Sequence, residues 1–246
     1  MKNLGMILIA AAAGAVVLVF LCGSETEPAE PVIFYATRPG RATIDRDAQG
    51  GNPFASALTE LFARPKLTLA ELREELPGLT MAYSAGQQNP QVPPALPQRW
   101  RIRPIGRYAG RREALVFVFS DYRAVGESAL PGADLDAERI ATAFETAGFN
   151  VRKAVNPTAD TLRDALDELA ARSRDAEAAV VYATGHSVER DGDVWLLPHT
   201  YPFEDGPRRL TERGLRVASL AVPLQAHRAN LVFFGGCRTD WPTPAP

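Results

Sequence analysis

Residues 178–187, AAVVYATGHS, and residues 231–238, LVFFGGCR, decide the fold that we predict for this chain. Each stretch begins as an unbroken apolar run, which is typical of a strand buried on both faces of a sheet. The first run leads into Gly185-His186-Ser187, and the second leads into Gly235-Gly236-Cys237-Arg238. Another strand is predicted at residues 114–119 (ALVFVF), and helical apolar patterns lie between the strands. Strands that alternate with helices predict an α/β fold with a mostly parallel sheet.

His186 and Cys237 are the candidate catalytic residues, because each follows the end of a predicted buried strand. Sites in an open parallel sheet collect beyond the carboxyl ends of the strands, and neighbouring strands lie about 4.8 Å apart. If these two strands are neighbours, the thiol and the imidazole face one crevice. A thiol needs such a base to be a good nucleophile near neutral pH. Taken singly, a cysteine or a histidine after an apolar strand is more often an inert structural residue.

The composition argues against several classes of function. The chain has 246 residues, with 27 Lys and Arg against 29 Asp and Glu, and its net charge is −2. This length predicts one domain or two small ones, and this charge gives no positive field that would attract nucleic acid. Two Cys and three His, with no CxxC spacing, predict neither a closed zinc site nor a disulfide framework. We therefore expect no metal, no other cofactor and no nucleic-acid partner.

The N-terminal region has the pattern of a membrane anchor. Residues 4–22 carry no charge, and a helix of that length would rise about 28 Å, close to the hydrocarbon thickness of a bilayer. We predict a transmembrane anchor within residues 1–22 and an acidic tether at residues 23–31. The soluble part would then be periplasmic or extracellular if the source is bacterial. A cleaved signal peptide or a lipoprotein signal stays open, although bulky residues precede Cys22.

Residues 113–238 resemble the first part of the caspase and metacaspase-like cysteine peptidases, as found in bacterial caspase-like domains. The matching pieces come in the order of that family: ALVFVFSDYR, LPGADLDAERIATAFETAGFNV, AAVVYATGHS, DGDVWLLP and LVFFGGCR. The resemblance implies a caspase-like three-layer sandwich. It also implies a cysteine endopeptidase that acts on peptides or proteins, with the catalytic residues of the family at His186 and Cys237.

The same resemblance implies roles for neighbouring residues. Cys237 would attack the scissile carbonyl, His186 would handle protons, and the backbone amides of Ser187 and Cys237 would hold the oxyanion. Asp136 aligns with an acidic residue of the metacaspase substrate pocket, which would favour cleavage after Arg or Lys. The alternative for Asp136 is a solvated carboxylate near a helix start. Ser187 stands where the family usually has Gly, and Gly235 stands where metacaspases have Asp and caspases have Gln.

A second resemblance, over residues 31–94, predicts a circular permutation. The stretch YATRPGRATIDRDAQGGNPF, which begins at Tyr35, looks like the segment that normally follows the catalytic Cys in these enzymes. Because it comes first here, we expect the strand Val32–Ala36 to pair beside Leu231–Phe234. The predicted organisation is a permuted segment at residues 32–97, a linker at 98–112 that joins the old ends, and a catalytic portion at 113–246.

Two other interpretations stay open. An inactive caspase-fold interaction module would explain Ser187 and Gly235 as signs of relaxed constraint, although a scaffold needs neither His186 nor Cys237. A ligand-binding domain of flavodoxin-like topology would explain the sheet, but it gives the His and Cys placement no purpose.

Overall fold

The computed structural model describes residues 27–94, 96, 100–102 and 110–241. The predicted anchor at residues 1–22 lies outside these residues, as do parts of the predicted tether and linker. Within the described ranges, no helix has the length and apolar character needed to span a bilayer. The membrane anchor and the location of the soluble part therefore stay predictions.

Strands and helices alternate along the described chain. The strands are β1 Pro31–Tyr35, β2 Arg112–Val118, β3 Asn150–Val155, β4 Ala178–Thr184, β5 Ser187–Arg190, β6 Asp193–Leu196, β7 Leu215–Arg216 and β8 Ala229–Phe234. The α-helices are α1 Pro53–Phe62, α2 Leu69–Tyr83, α3 Pro131–Thr146, α4 Ala159–Ser173 and α5 Leu210–Arg213.

The main sheet has the strand order β1-β8-β4-β2-β3, and every neighbouring pair in it is parallel. The predicted mostly parallel α/β sheet is therefore confirmed. Strands β5, β6 and β7 form a separate antiparallel sheet. It begins directly after β4, so the residues at the carboxyl end of β4 lie where the two sheets meet.

Both faces of the main sheet are covered, which accounts for the unbroken apolar strands. Val180 and Phe233 belong to one core cluster, which they share with apolar residues of α1, α2 and α3. Val181 and Val232, the alternate residues, belong to a second cluster with residues of α4. The period of two along each strand therefore divides the side chains between two helical layers.

Strand β1 lies at the edge of the sheet and pairs in parallel with β8, with Val32 opposite Leu231 and Tyr35 opposite Phe234. The strand begins and ends one residue earlier than predicted. Its place in the sheet, beside β8, agrees with the prediction. The Phe34 and Phe233 rings pack with centroids 4.9 Å apart, and both side chains are fully buried. The N-terminal segment thus shares the core of the rest of the chain.

Capping residues mark the starts of the two helices after β1. The Asn52 side chain accepts a hydrogen bond from the Phe54 amide at 2.8 Å, and Pro53 occupies the first turn of α1. Thr68 and Glu71 form a capping box at the start of α2. The α1 cap also fixes the end of the polar segment 36–52, which crosses the carboxyl edge of the sheet.

Candidate active site

His186 and Cys237 come from neighbouring strands, as the strand-end argument requires. Strands β4 and β8 are paired in parallel, with Ala183 opposite Phe234, and the two candidate residues follow at the same edge. Both residues are half-buried. The two loops are in direct contact, because the Ser187 hydroxyl donates a hydrogen bond to the Cys237 carbonyl at 2.8 Å.

The His186 backbone is held by the buried Tyr122 side chain. The Tyr122 hydroxyl accepts a hydrogen bond from the His186 amide at 2.9 Å and donates one to the Leu197 carbonyl at 2.7 Å. Leu197 in turn donates its amide to the His186 carbonyl at 2.8 Å. The Tyr122 and His186 rings lie edge to face with centroids 4.5 Å apart. Burial raises the pKa of Tyr122, so its hydroxyl stays protonated and keeps both roles.

The imidazole has one nitrogen already engaged. His186 Nε2 lies 2.9 Å from the backbone carbonyl of Ser128, which can only accept a hydrogen bond. In the neutral ring Nε2 therefore carries the proton, and Nδ1 keeps a free electron pair. That nitrogen is therefore the one able to accept a proton.

The glycine before the histidine is needed because of Tyr122. A Cβ atom at Gly185 would lie 2.6 Å from the Tyr122 hydroxyl and 2.9 Å from Leu196 Cδ1. A side chain there would displace the hydroxyl that holds the His186 amide. This close approach gives a physical reason for Gly in the sequence Gly185-His186-Ser187.

Ser187, which departs from the usual family residue, has a structural role. Besides bonding to the Cys237 carbonyl, its hydroxyl fills the space that a Cβ atom at Gly236 would need. Glu189 donates its amide to the Thr239 carbonyl at 2.8 Å. Amides of alternate residues in a strand point to the same side. The Ser187 amide, two residues before Glu189 in β5, therefore also faces the Cys237 loop.

Cys237 is a free thiol that contacts the N-terminal segment. Its Sγ lies 3.3 Å from the Thr43 amide nitrogen and 3.4 Å from Thr43 Oγ1. Sequence reasoning missed this contact, because 194 positions separate the two residues along the chain.

Arg238 clamps the backbone directly after the candidate nucleophile. Arg238 is only 6% exposed, and its guanidinium forms a two-pronged ion pair with Glu189, at 2.9 and 3.0 Å. It also donates to Gln91 Oε1 and lies over the Tyr35 ring, 4.4 Å from the centroid. Pairing and stacking of this kind offset the cost of burying a charge.

Gly235, two residues before Cys237, has no room for a side chain. A Cβ atom there would lie 2.8 Å from Thr184 Oγ1 and 3.0 Å from the Tyr182 hydroxyl. The Asn52 side-chain amide also donates to the Gly235 carbonyl at 3.3 Å. The position therefore has no space for the acidic or amide side chain that the resemblance would imply there.

Asp136 is buried. It has no exposed surface, and the Asn52 amide donates to both of its carboxyl oxygens, at 3.1 and 3.2 Å. The interpretation as a solvated carboxylate is therefore wrong, because residues of the N-terminal segment cover the helix at this point. Burial raises the pKa of Asp136 to about 8, while the Asn52 hydrogen bonds and Arg139 oppose that shift. Its role in a substrate pocket stays a prediction.

Asp45 is a carboxylate that sequence reasoning did not single out. It is partly exposed and accepts a hydrogen bond from the Gly132 amide at 3.2 Å. Burial raises the pKa of Asp45, while the Gly132 hydrogen bond and the charges of Arg46 and His186 oppose the shift. The interaction with His186 puts this carboxylate within electrostatic reach of the candidate base. The only sequence signal that could have led to Asp45 was the family resemblance of residues 31–94. That resemblance covered the segment but singled out no residue in it.

Comparison with known proteins identifies the family of the chain. The family model described as the caspase domain, Peptidase_C14, matches residues 111–242, which is just over half of the chain. The chain therefore belongs to the caspase domain family of cysteine peptidases. A crystal structure of caspase-1 from Spodoptera frugiperda is similar at 16% identity with a TM-score of 0.39, covering 53% of this chain and 52% of that chain. This chain thus spans about half the length of that caspase. No curated protein matches the chain.

The titration of Asp136 predicts a pH-dependent stability. Between an unfolded pKa of about 3.9 and the folded value of about 8, the folded protein holds a proton that the unfolded chain has released. The contribution of Asp136 to the free energy of unfolding is then greatest at and below about pH 4. It falls towards pH 8 by up to about 1.4 kcal/mol per pH unit. Asp136→Asn removes this contribution, and urea unfolding at several pH values from 5 to 8 measures it.

The matched control is Asp164→Asn, which changes an exposed carboxylate on α4 and should keep the pH dependence of the original protein. If Asp136→Asn also keeps that dependence, then Asp136 is ionised in the folded state and the assignment is wrong.

Proposed function

We propose that this protein is a cysteine endopeptidase with Cys237 as nucleophile and His186 as base and acid. The observation that carries the proposal is that the ends of β4 and β8 lie side by side. Parallel neighbours β4 and β8 deliver the two residues to one edge, and the Ser187–Cys237 hydrogen bond joins their loops. Membership of a peptidase family agrees with peptide or protein substrates.

The proposed reaction uses the free nitrogen of His186. The Cys237 thiol gives its proton to Nδ1 while Sγ bonds to the scissile carbonyl carbon, and the carbonyl oxygen becomes an oxyanion. The amides of Ser187 and Cys237 stabilise that oxyanion. The C–N bond then breaks, and His186 gives the proton to the leaving amine. Water, deprotonated by His186, attacks the thioester and releases the new carboxyl end and the thiol.

The role of the nucleophile is tested by removing its thiol. Cys237→Ala should reduce peptide cleavage by at least about a thousandfold, because the residual rate comes only from binding and oxyanion contacts. The measurement uses a peptide library with Arg, Lys or Asp before the scissile bond. Cys22→Ala, which removes the other cysteine of the chain, should retain full activity.

If the intact protein folds but cleaves no peptide in a thiol-dependent way, the proposed function fails. The inactive caspase-fold interaction module then becomes the better interpretation.

We further propose that the substrate residue before the scissile bond is basic. Support comes from two acidic side chains, of which Asp45 lies within electrostatic reach of His186. Asp45 is partly exposed, and Asp136 lies behind the Asn52 backbone, close enough for the two carboxyls to interact electrostatically. A guanidinium or an ammonium group would be paired by Asp45 first. Direct contact with Asp136 would require residues 51–52 to move.

Asp45→Asn tests this specificity. A charged hydrogen bond contributes about 1.5–3 kcal/mol, so kcat/KM for Arg peptides should fall about 10- to 100-fold. Cleavage of matched peptides with Gln in place of Arg should change much less. Asp191→Asn, at the exposed tip of the β5–β6 hairpin, is the control with the same charge change. Equal loss for Arg and Gln peptides would contradict a charge-based pocket.

We also propose that the chain is a circular permutation of the usual family order. Support comes from the family match, which begins only at residue 111, and from β1, which pairs in parallel beside the nucleophile strand although it precedes that match. The segment 31–94 thereby adds an edge strand and two helices to the same core.

A re-ordered chain tests the permutation. Residues 110–241, then a Gly/Ser linker of about twenty residues, then residues 27–94 should unfold cooperatively, with a stability close to that of the original order. Residues 110–241 alone should be much less stable, because β8 then loses its edge partner and Phe233 loses Phe34. A fragment as stable as the whole chain, or a re-ordered chain that fails to fold, would contradict the proposal.

A further inference from the structure

We propose that Thr43 is a further catalytic residue, which donates hydrogen bonds to the sulfur of Cys237 and stabilises it as a thiolate. This inference rests on the proposed function of Cys237 as the nucleophile. Thr43 touches the reacting atom through two groups, its amide nitrogen at 3.3 Å and its hydroxyl oxygen at 3.4 Å.

The two groups respond differently to the charge of the sulfur. A backbone amide can only donate, so it favours the thiolate over the thiol. A hydroxyl can accept from the S–H group and, after rotation, donate to S⁻. Thr43 therefore satisfies the sulfur in both protonation states and gives the charged state an additional donor.

The position of Thr43 is fixed from both sides. On one side, Gly40 donates its amide to the Arg238 carbonyl at 2.8 Å, and Arg238 donates its amide to the Arg41 carbonyl at 2.9 Å. On the other side, the Ile44 amide donates to the Gln88 side chain at 3.0 Å, and the Asn52 side chain donates to the Ile44 carbonyl at 2.9 Å. The donors are thus positioned before any substrate binds, which limits the reorganisation needed during reaction.

Titratable and charged groups also lie on the elements around the Thr43–Cys237 contact. They are His186 after β4, Asp45 on the same segment, buried Asp136 on α3, and the Arg238–Glu189 ion pair between the Cys237 loop and β5. A change at Thr43 leaves all of these in place. A difference between Thr43 variants therefore reports on the contact with the sulfur.

The experiment measures the rate at which iodoacetamide alkylates Cys237 from pH 5 to 9, in a protein that also carries Cys22→Ala. Thr43→Val preserves the shape and the amide but removes the hydroxyl. Its alkylation rate at pH 7 should fall about three- to tenfold, the loss expected for one hydrogen bond, and the midpoint of its pH profile should move upward. Thr43→Ser keeps the hydroxyl, and its rate and midpoint should stay within about twofold and a few tenths of a pH unit of the original.

Two outcomes would overturn the inference. One is a Thr43→Val profile that matches the original in rate and midpoint. The other is a Thr43→Ser variant that is as slow as Thr43→Val. Thr43→Ala provides a second hydroxyl-free variant if Thr43→Val does not fold, and thermal unfolding of each variant checks this.

Peptide cleavage separates this inference from the proposed function. If the intact protein cleaves no peptide but Thr43→Val still slows alkylation, the peptidase proposal fails while the contact with the thiolate stands. If cleavage depends on Cys237 and Thr43→Val changes neither alkylation nor kcat/KM, the peptidase proposal stands and the role of Thr43 is wrong.

Discussion

The parallel pairing of β4 with β8 is the constraint on which the rest of the site depends. It brings two strand ends so close together that the backbone beyond them has little room for side chains. Gly185 is packed against Tyr122, Gly235 against Thr184 and Tyr182, and Gly236 against Ser187. The Tyr122 hydroxyl accepts a hydrogen bond from the His186 amide, and the Ser187 hydroxyl donates one to the Cys237 carbonyl; these bonds lock the two loops. The two candidate catalytic residues are thus positioned by contacts of their backbone.

The N-terminal segment supplies the remaining contacts of the candidate site. Strand β1 covers the outer edge of β8, and the chain after it crosses the carboxyl edge of the sheet, where Thr43 meets the sulfur and Asp45 interacts with His186. Arg238 joins this segment to β5 through Glu189 and Gln91. The site is therefore built from both ends of the described chain. A change in the packing of β1 against β8 should alter the surroundings of Cys237.

Much of the fold and part of the site could be predicted from local patterns. The buried strands at residues 114–119, 178–183 and 231–234, the Asn52 cap and the Thr68 capping box all depend on neighbours in sequence, and each is found. The placement of His186 and Cys237 follows from the same reasoning, because a parallel sheet collects strand ends at one edge. Asp136 was the exception: the alternative of a solvated carboxylate is wrong, because a loop distant in sequence covers it.

The sequence by itself determined the alternation of strands and helices, the two residues that end the central strands, and the family to which they point. Only the tertiary structure decided what touches those residues. The Thr43–Cys237 contact, the Tyr122–His186 contact and the burial of Asp136 join positions far apart in the chain. No local period encodes such contacts, because they arise when strand order and loop paths bring separate elements together. Periodicity reports which face of an element is buried, and packing alone decides which side chain it meets.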